Sequence, residues 1–321
     1  MKAHRIAQLS RLHVRLGLLF AIPLLLIGGT GVLLGFYDAL RYGSAPYRLE
    51  EPVAHPVAPA ALATAAQSAY PGGRLEALYL PASPERAARA KLTAVGGRQV
   101  IAFLDPATGE PFAVRDTSER DLVEWLHEVH RGAIAGIAGE LVAAAAAFSL
   151  LALWLSGRPL RRQGSRRGHL HGRVGRATGA ALALIALTGG VLAFAKPLRE
   201  RFYPPPTASA GKVATPDPVR IISAGSRAYS GTQLERVLFP VRPGQPAALR
   251  FADGARVWVD VDGEVLRTES VLSPWLNLLY PLHSGRVLGK LGPPLMALFG
   301  VVLLFLTCSG YLLRSKRHRP R

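Results

Sequence analysis

Four long apolar stretches constrain this chain more than any other feature of its sequence. Each is about as long as the ~20 residues that a helix needs to cross the core of a bilayer. Backbone groups inside a bilayer must find hydrogen-bond partners within the segment itself, so we expect each stretch to be helical. The sequence therefore predicts four transmembrane helices, which with their histidine-containing entries cover residues 16–37, 130–156, 174–196 and 283–313.

The placement of positive charge predicts the orientation of these spans. The formal net charge is +18, which in a soluble protein would suggest a nucleic-acid partner. Here Lys and Arg concentrate, without Asp or Glu, in residues 1–15, 157–173 and 314–321. The positive-inside rule places such segments in the cytoplasm. We expect both termini in the cytoplasm, residues 38–129 and 197–282 on the outer (periplasmic) side of an inner membrane, and no nucleic-acid partner.

A cleaved signal peptide is the alternative interpretation of the first span. Its apolar run is too long for the central region of a signal peptide, and "GFYDALRYGS" offers no small-x-small cleavage site. We therefore expect the first span to be retained. The single cysteine, Cys308, lies inside the last span, so the outer segments must fold without an internal disulfide.

The two halves of the sequence repeat one another. "LHVRLG" at residues 12–17 matches "LHGRVG" at 170–175, and "AYPGGRLEALYLP" at 69–81 matches "AYSGTQLERVLFP" at 228–240. A His-x-Gly-x3-Gly pattern begins at both His130 and His283. Two dipeptides also recur: Thr30-Gly31 as Thr188-Gly189, and Ser156-Gly157 as Ser309-Gly310. Each half is therefore predicted to be a span, an outer module and a second span.

The outer segments have the pattern of small α+β modules. Amphipathic helices are predicted at residues 59–70 and 217–229, and alternating strands follow each of them. A tight turn containing Gly109 or Gly263 joins two of the strands in each module. The fold class is thus an integral membrane protein: an all-α four-helix transmembrane bundle with two small extracytoplasmic α+β modules and an internal two-fold repeat.

This ordered set of features resembles a known family. The helix, the "AYPGG" break and the strands around "DPATGE" are similar to PepSY modules. Spans that begin with LHxxxG and end with SG-x2-LR are similar to those of the PepSY-associated transmembrane (PepSY-TM) family. The resemblance covers nearly the whole chain. Members with an assigned role include iron-regulated inner-membrane proteins and di-haem reductases of ferric siderophores.

Four histidines occupy positions that the repeat makes equivalent. A parallel repeat relates its halves by an axis along the membrane normal, so equivalent residues face each other at one depth. Two bis-histidine haems between the spans would require one pair of histidines at each of two depths. We therefore predict the axial ligands of two b-type haems to be His13 with His171 and His130 with His283. Alternatively, these residues only anchor the span ends.

The neighbours of these histidines suit the same use. Four arginines lie within three residues of them and are predicted to pair with haem propionates: Arg15, Arg173, Arg131 and Arg286. Glycines nearby are predicted to leave space for a flat macrocycle: Gly17, Gly175, Gly132, Gly136, Gly285 and Gly289. The alternative roles are headgroup anchoring for the arginines and close helix packing for the glycines.

Three further polar residues lie close to the predicted ligands. His127 precedes His130 by one helical turn, and His169 precedes His171 by two residues. Each is a candidate second-shell group, alternative ligand or proton carrier, or simply a solvated residue. Glu140 is predicted inside the second span, ~15 Å along a continuous helix from His130. It is a candidate proton relay or a partner for Lys290.

The resemblance implies a protein that passes electrons outward across the membrane to a ferric complex, typically a ferric siderophore. The sequence has no nucleotide or flavin fingerprint, because "GGTG" lies inside a span. The electron donor is therefore expected to be quinol or another reductase. Two alternatives remain open. One is a non-enzymatic envelope protein whose modules bind a partner or regulate a peptidase, and the other is an accessory component of iron transport.

Overall fold

The computed structural model describes residues 2–43, 45–160, 166–208, 216–270 and 275–315. The chain divides into two compact units. The helical unit comprises Met1–Tyr37, Asp121–Leu198 and Leu278–Arg321, and the sheet unit comprises Asp38–Arg120 and Arg199–Asn277. Each unit therefore takes segments from both halves of the sequence.

The elements follow a similar order in both halves, with one more helix before the strands in the first half than in the second. The helices are α1 (Lys2–Leu19), α2 (Ala21–Leu34), α3 (Tyr37–Tyr42), α4 (Pro59–Ala69), α5 (Leu122–His130), α6 (Gly136–Gly157), α7 (Arg166–Leu192), α8 (Ala195–Phe202), α9 (Pro218–Ala228), α10 (Leu276–Ser284) and α11 (Gly292–Ser315). The strands are β1 (Arg74–Tyr79), β2 (Ala88–Thr93), β3 (Gln99–Leu104), β4 (Pro111–Asp116), β5 (Leu234–Leu238), β6 (Ala247–Phe251), β7 (Arg256–Val259) and β8 (Val265–Glu269). Short 3₁₀ segments, Ala133–Ala135 and Arg286–Leu291, precede α6 and α11.

The helical unit contains enough apolar helix for several membrane crossings. Within the described residues, three segments qualify by length and composition: Ala133–Gly157, Leu170–Leu192 and Leu276–Arg314. The pair His4–Leu19 and Ala21–Leu34 makes a fourth if it is one span, although the two helices are bent by 62°. Pro23 explains the bend, because it has no N–H to bond the carbonyl of Leu19. The chain is a multi-pass helical membrane protein, and its predicted first span is not straight.

A break precedes both α6 and α11. The sequence predicts continuous helices from His130 and His283, whereas α5 ends at His130 and α6 begins only at Gly136. Four glycines at the two breaks have φ between 62° and 77°, a region that only glycine adopts without strain: Gly132, Gly136, Gly285 and Gly289. These glycines turn the chain, so each histidine lies at the end of a separate short helix.

The sheet unit is built on a single antiparallel sheet with the strand order β4-β3-β2-β1-β5-β6-β7-β8. The sequence predicts two modules, and in the structure β1 of one module pairs with β5 of the other. Helices α4 and α9 lie where the amphipathic helices are predicted and share one apolar core with the sheet. Leu62, Leu78, Ile221 and Leu249 are all buried in it. A shared core compensates for the small size of each module.

A half-buried carboxylate links β1 to β2 in the middle of the sheet. Glu76 is 10% exposed, accepts a hydrogen bond from the Thr93 hydroxyl, and lies 3.0 Å from Lys91 Nζ. Burial disfavours its ionisation, but the hydrogen bonds from Thr93 and Lys91 outweigh that cost. The pKa of Glu76 therefore lies below its ordinary value.

Replacing this carboxylate should weaken the sheet at neutral pH and not in acid. A lowered folded-state pKa gives stability above the ordinary pKa of about 4.3, and that stability is lost as the pH falls through the folded value. We expect Glu76→Gln to speed hydrogen exchange in β1 and β2 roughly fivefold at pH 7, equivalent to about 1 kcal/mol. Mass spectrometry would measure this exchange, with the exposed Glu50→Gln as control. An equal effect at pH 3 and pH 7 would contradict the role of the charge.

Candidate functional site

The four predicted histidines meet in two pairs inside the helical unit. The ring centroids of His13 and His171 are 6.3 Å apart with planes at 90°, and those of His130 and His283 are 6.0 Å apart with planes at 53°. We call these the inner pair and the outer pair, after the predicted orientation. Each pair takes one histidine from either half of the sequence.

Helix ends and breaks position the outer pair. Asp121 caps α5 through a reciprocal pair of hydrogen bonds with Glu124, and His130 is the last residue of that helix. The Nδ1 of His130 lies 3.1 Å from the Ile27 carbonyl oxygen and 3.1 Å from Thr30 Oγ1. A carbonyl oxygen can only accept a hydrogen bond, so this Nδ1 carries the proton. The Nε2 lone pair is therefore available.

The other member of the outer pair is held in the same way. The Nδ1 of His283 lies 2.8 Å from the Ile185 carbonyl oxygen and 3.5 Å from Thr188 Oγ1. Thr30 and Thr188 are both buried, and each hydroxyl donates to a carbonyl of its own helix. These hydroxyls are left as acceptors for the imidazole protons.

Serines take the place of the threonines at the inner pair. The Nδ1 of His13 donates to the Leu153 carbonyl oxygen at 3.0 Å and lies 3.2 Å from Ser156 Oγ. The Nδ1 of His171 lies 2.8 Å from Ser309 Oγ, whose hydroxyl donates to the Leu306 carbonyl. Ser309 is thus an acceptor for His171. All four histidines have the tautomer in which Nε2 is free to bind a metal.

A glycine of a neighbouring helix lies against each imidazole ring. A methyl group at Gly189 would lie 2.6 Å from His283 Cε1, and one at Gly157 would lie 3.1 Å from His13 Cε1. A methyl group at Gly31 would lie 3.3 Å from His130 Cε1, and one at Gly310 would lie 3.4 Å from His171 Cε1. The Thr-Gly and Ser-Gly dipeptides of the repeat are therefore histidine-holding elements. The sequence shows that they recur, but it does not show what they hold.

A cavity of about 480 Å³ adjoins the inner pair, a size typical of small-molecule sites. His13 and His171 line it, and Trp154, Tyr311 and several leucines make most of its wall apolar. Glycines provide the space: Gly17, Gly157, Gly172, Gly175, Gly179 and Gly310. Such walls suit a flat apolar cofactor, which His13 and His171 would hold.

The arginines beside this cavity are not the predicted ones. Arg158, Arg176 and Arg314 line it, whereas Arg15 and Arg173 are exposed and do not. One face of α7 lines the cavity, with Gly172, Arg176 and Gly179 following one another at helical spacing, and Arg173 lies off that face. The described cavity therefore has its own cationic border, which an anionic substituent of a cofactor could contact.

The predicted polar residues around the outer pair have other contacts. Arg131 forms an ion pair with Glu140 at 2.9 Å, and Arg286 stacks over the Tyr280 ring at 5.3 Å. Glu140 is in the first turns of α6, beyond the break, and is not on a continuous helix from His130. Among the described residues, Glu140 pairs with Arg131 rather than with Lys290. The glycines of the two breaks turn the chain, and their role as space for a macrocycle stays a prediction.

Of the two remaining histidine candidates, His127 is not a member of either pair. His127 Nδ1 lies 3.0 Å from the Val123 carbonyl oxygen of its own helix, and its ring contacts Tyr37 edge-on at 5.7 Å. The helical position of His169 is in α7, but its side chain lies outside the described residues. Tyr37 is a neighbour of this region that sequence reasoning missed.

The spacing of the pairs fits a metal ion held from two sides. Two imidazoles that bind one metal through opposite bonds of about 2.0 Å have ring centroids about 6 Å apart, as both pairs do. Among the described residues, no three His, Cys, Asp or Glu side chains converge on one point. A haem iron, which is the metal that the family resemblance implies, takes two protein ligands because its macrocycle fills the other positions. The donor set therefore fits two bis-histidine haems.

The fold defines a class of protein: a multi-pass membrane protein with facing histidine pairs in its helical unit and a separate α+β sheet unit. The PepSY-associated TM region, as described by its family model, matches residues 10–317. The chain belongs to this family, which confirms the resemblance seen in the sequence. A comparison with curated proteins found no match.

Filling one of the glycine contacts should disturb the helical unit. We expect Gly189→Ala to displace His283 and to destabilise the unit by about 1–3 kcal/mol, since overpacking costs that much. Thermal unfolding in detergent, followed by circular dichroism, measures the effect. Gly29→Ala is the control, because a methyl group there meets no atom within 4 Å. Equal unfolding temperatures for both variants would show that the ring does not depend on this contact.

Proposed function

We propose that the protein is a b-type di-haem protein of the inner membrane that passes electrons outward to reduce a ferric complex, with a ferric siderophore as the expected substrate. In this proposal the spans form a four-helix bundle with an internal two-fold repeat, and both termini lie in the cytoplasm. The single observation that carries the proposal is the presence of two histidine pairs, each with the centroid spacing and the tautomer that axial ligation needs.

The histidines would hold the two haems through Nε2. Each haem would take one histidine from each half of the chain. Haem, when bound, supplies reversible one-electron chemistry. The chain's own part is to fix the rings and to tune their donor strength. The Nδ1 hydrogen bonds to Ile27, Ile185 and Leu153 make the free nitrogens more basic and prevent ring rotation.

Charged residues complete the proposed sites. Arg158, Arg176 and Arg314 border the inner cavity and are placed to pair with carboxylate substituents. Arg131 and Arg286 are the nearest arginines in sequence to the outer pair, and Arg131 already pairs with Glu140. The electron donor in this proposal is quinol or a separate reductase, because the sequence carries no fingerprint for a nucleotide or flavin.

Two double variants test the ligand assignment. We expect His13→Ala with His171→Ala, and His130→Ala with His283→Ala, each to lower the haem content from two to one per chain, because each removes both axial ligands of one site. A pyridine haemochrome assay and a reduced-minus-oxidised spectrum of the purified protein measure this. His127→Ala and the exposed His55→Ala should keep both haems.

Different results would favour other functions. A protein that stays colourless after haem supplementation would rule out the cytochrome and favour a partner-binding PepSY protein. Retention of both haems in the outer-pair variant would rule out that pair as ligands. Adding ferric siderophores to the dithionite-reduced protein should reoxidise the haem. If none of a panel of siderophores does so, the protein binds haem but is not a siderophore reductase.

The serines of the inner pair allow a matched test of ring positioning. Within the part of the chain that the structure describes, Ser309 is the one partner of His171 Nδ1, whereas His13 Nδ1 also bonds the Leu153 carbonyl. We expect Ser309→Ala to weaken haem retention at the inner site about tenfold and to shift its midpoint potential. Ser156→Ala should change both much less. Haem transfer to apomyoglobin measures retention, and equal effects of the two variants would contradict this asymmetry.

A further inference from the structure

The sheet unit carries a row of arginines on the face away from its core. The register places Arg236 opposite Arg250 and Arg250 opposite Arg256, on three adjacent strands. Tyr79 lies opposite Arg236 at one end of this row, and Glu269 lies opposite Arg256 at the other. Like charges directly opposite each other destabilise an antiparallel sheet. This arginine row (Arg236, Arg250 and Arg256) therefore costs stability as it stands.

Acidic residues do not balance the arginine row. Glu269 lies 3.9 Å from Arg256 but is also bound by Arg267 at 2.7 Å and by the Trp258 indole N–H at 2.9 Å. Among the described residues, Arg250 forms an ion pair with Glu235, at 3.4 Å. Among the described side chains, Arg236 contacts no carboxylate and has only the Tyr79 ring at 5.8 Å. Positive charge is thus in excess on this face.

Arg199 of α8 adds to the excess. Burial and the positive charge of Arg199 lower the pKa of Arg256 to about 10, although Glu269 acts in the opposite direction. Arg250 and Arg236 lower it further. Arg256 is still protonated at neutral pH, so the repulsion is present under ordinary conditions.

The fold of the module does not require this row. In the repeat match, Ala77 stands where the second module has Arg236. The corresponding row across β1, β2 and β3 reads Ala77, Lys91 and Ile101. Two of its three residues are apolar, and that half of the sheet has the same strand order. The arginines therefore serve something other than the architecture.

We propose that the arginine row binds an anionic ligand with at least two carboxylate groups. Guanidinium groups bind carboxylates through two parallel hydrogen bonds. Neighbouring strands are about 4.8 Å apart, so adjacent arginines can each take one carboxylate of a single molecule. Arg250 is 40% exposed and accessible to such a ligand. This inference rests on the proposed function. It narrows the class of substrate to ferric chelates of net negative charge.

Isothermal titration of the full-length protein in detergent tests this site. Gallium(III) citrate is the probe, because it has the size and charge of a ferric carboxylate complex and is not reduced. We expect binding that weakens at least about tenfold when Arg236→Gln and Arg250→Gln are combined. Arg236→Lys with Arg250→Lys should recover part of it. Arg227→Gln removes one positive charge from the exposed side of α9 and should have no effect.

Other outcomes overturn the proposal. If a neutral gallium trihydroxamate binds as well as gallium citrate, the row does not select for charge. If only phosphatidylglycerol vesicles bind through these arginines, the row contacts lipid headgroups and not a chelate. Hydrogen exchange checks that the variants fold. Arg236→Ala, which places at this position the residue that the first module has as Ala77, is a second variant for the binding test. Gallium citrate binding that all variants retain would also contradict the assignment.

The test separates this inference from the proposed function. Arginine-dependent citrate binding in a protein without haem would keep the anion site and remove the electron-transfer role. A protein with two haems and no citrate binding would keep that role and remove the anion site.

Discussion

The hydrogen bond from each histidine Nδ1 to another helix is the interaction on which the helical unit depends. These bonds join α1 to α6, α7 to α11, α5 to α2 and α10 to α7. A buried polar group without a partner costs several kcal/mol in an apolar environment. The bonds therefore hold the helices at a fixed distance, and they also determine which ring nitrogen carries the proton. Packing and ligand geometry are set by the same contacts.

The sequence predicts a good part of this arrangement. The pairing of His13 with His171 and of His130 with His283 follows from the internal matches alone. The module helices and the turns at Gly109 and Gly263, each with φ of 82°, are also as predicted. These features are local or periodic, so residue type and spacing are enough to define them.

The features that could not be predicted depend on contacts between elements. The partner that Thr30 or Ser156 finds is set by the distance between helices, which the residue type does not encode. The spacing of Gly132 and Gly136 is the same for close helix packing as for a left-handed turn, and only the backbone distinguishes them. Which arginine of α7 borders the cavity depends on the rotation of that helix against its neighbours.

The two faces of the sheet are under different constraints. One face packs on α4 and α9 and carries the apolar core, and its residues are apolar in both modules. The opposite face differs between the modules. Phe103 packs there against Tyr47 in the first module, whereas the second module has the arginine row. The repeated fold therefore depends on one face, and the other is free to acquire separate chemistry.

The contact between β1 and β5 also limits how the sheet can associate with other chains. A single module would leave β1 as an open edge, with the unpaired backbone groups of Ala77, Leu78 and Tyr79 available to any extended chain. Joining the modules at this edge satisfies those groups within one polypeptide and leaves only β4 and β8 at the margins. The duplicated chain thus contains, as one covalent molecule, the dimer that half of it would tend to form.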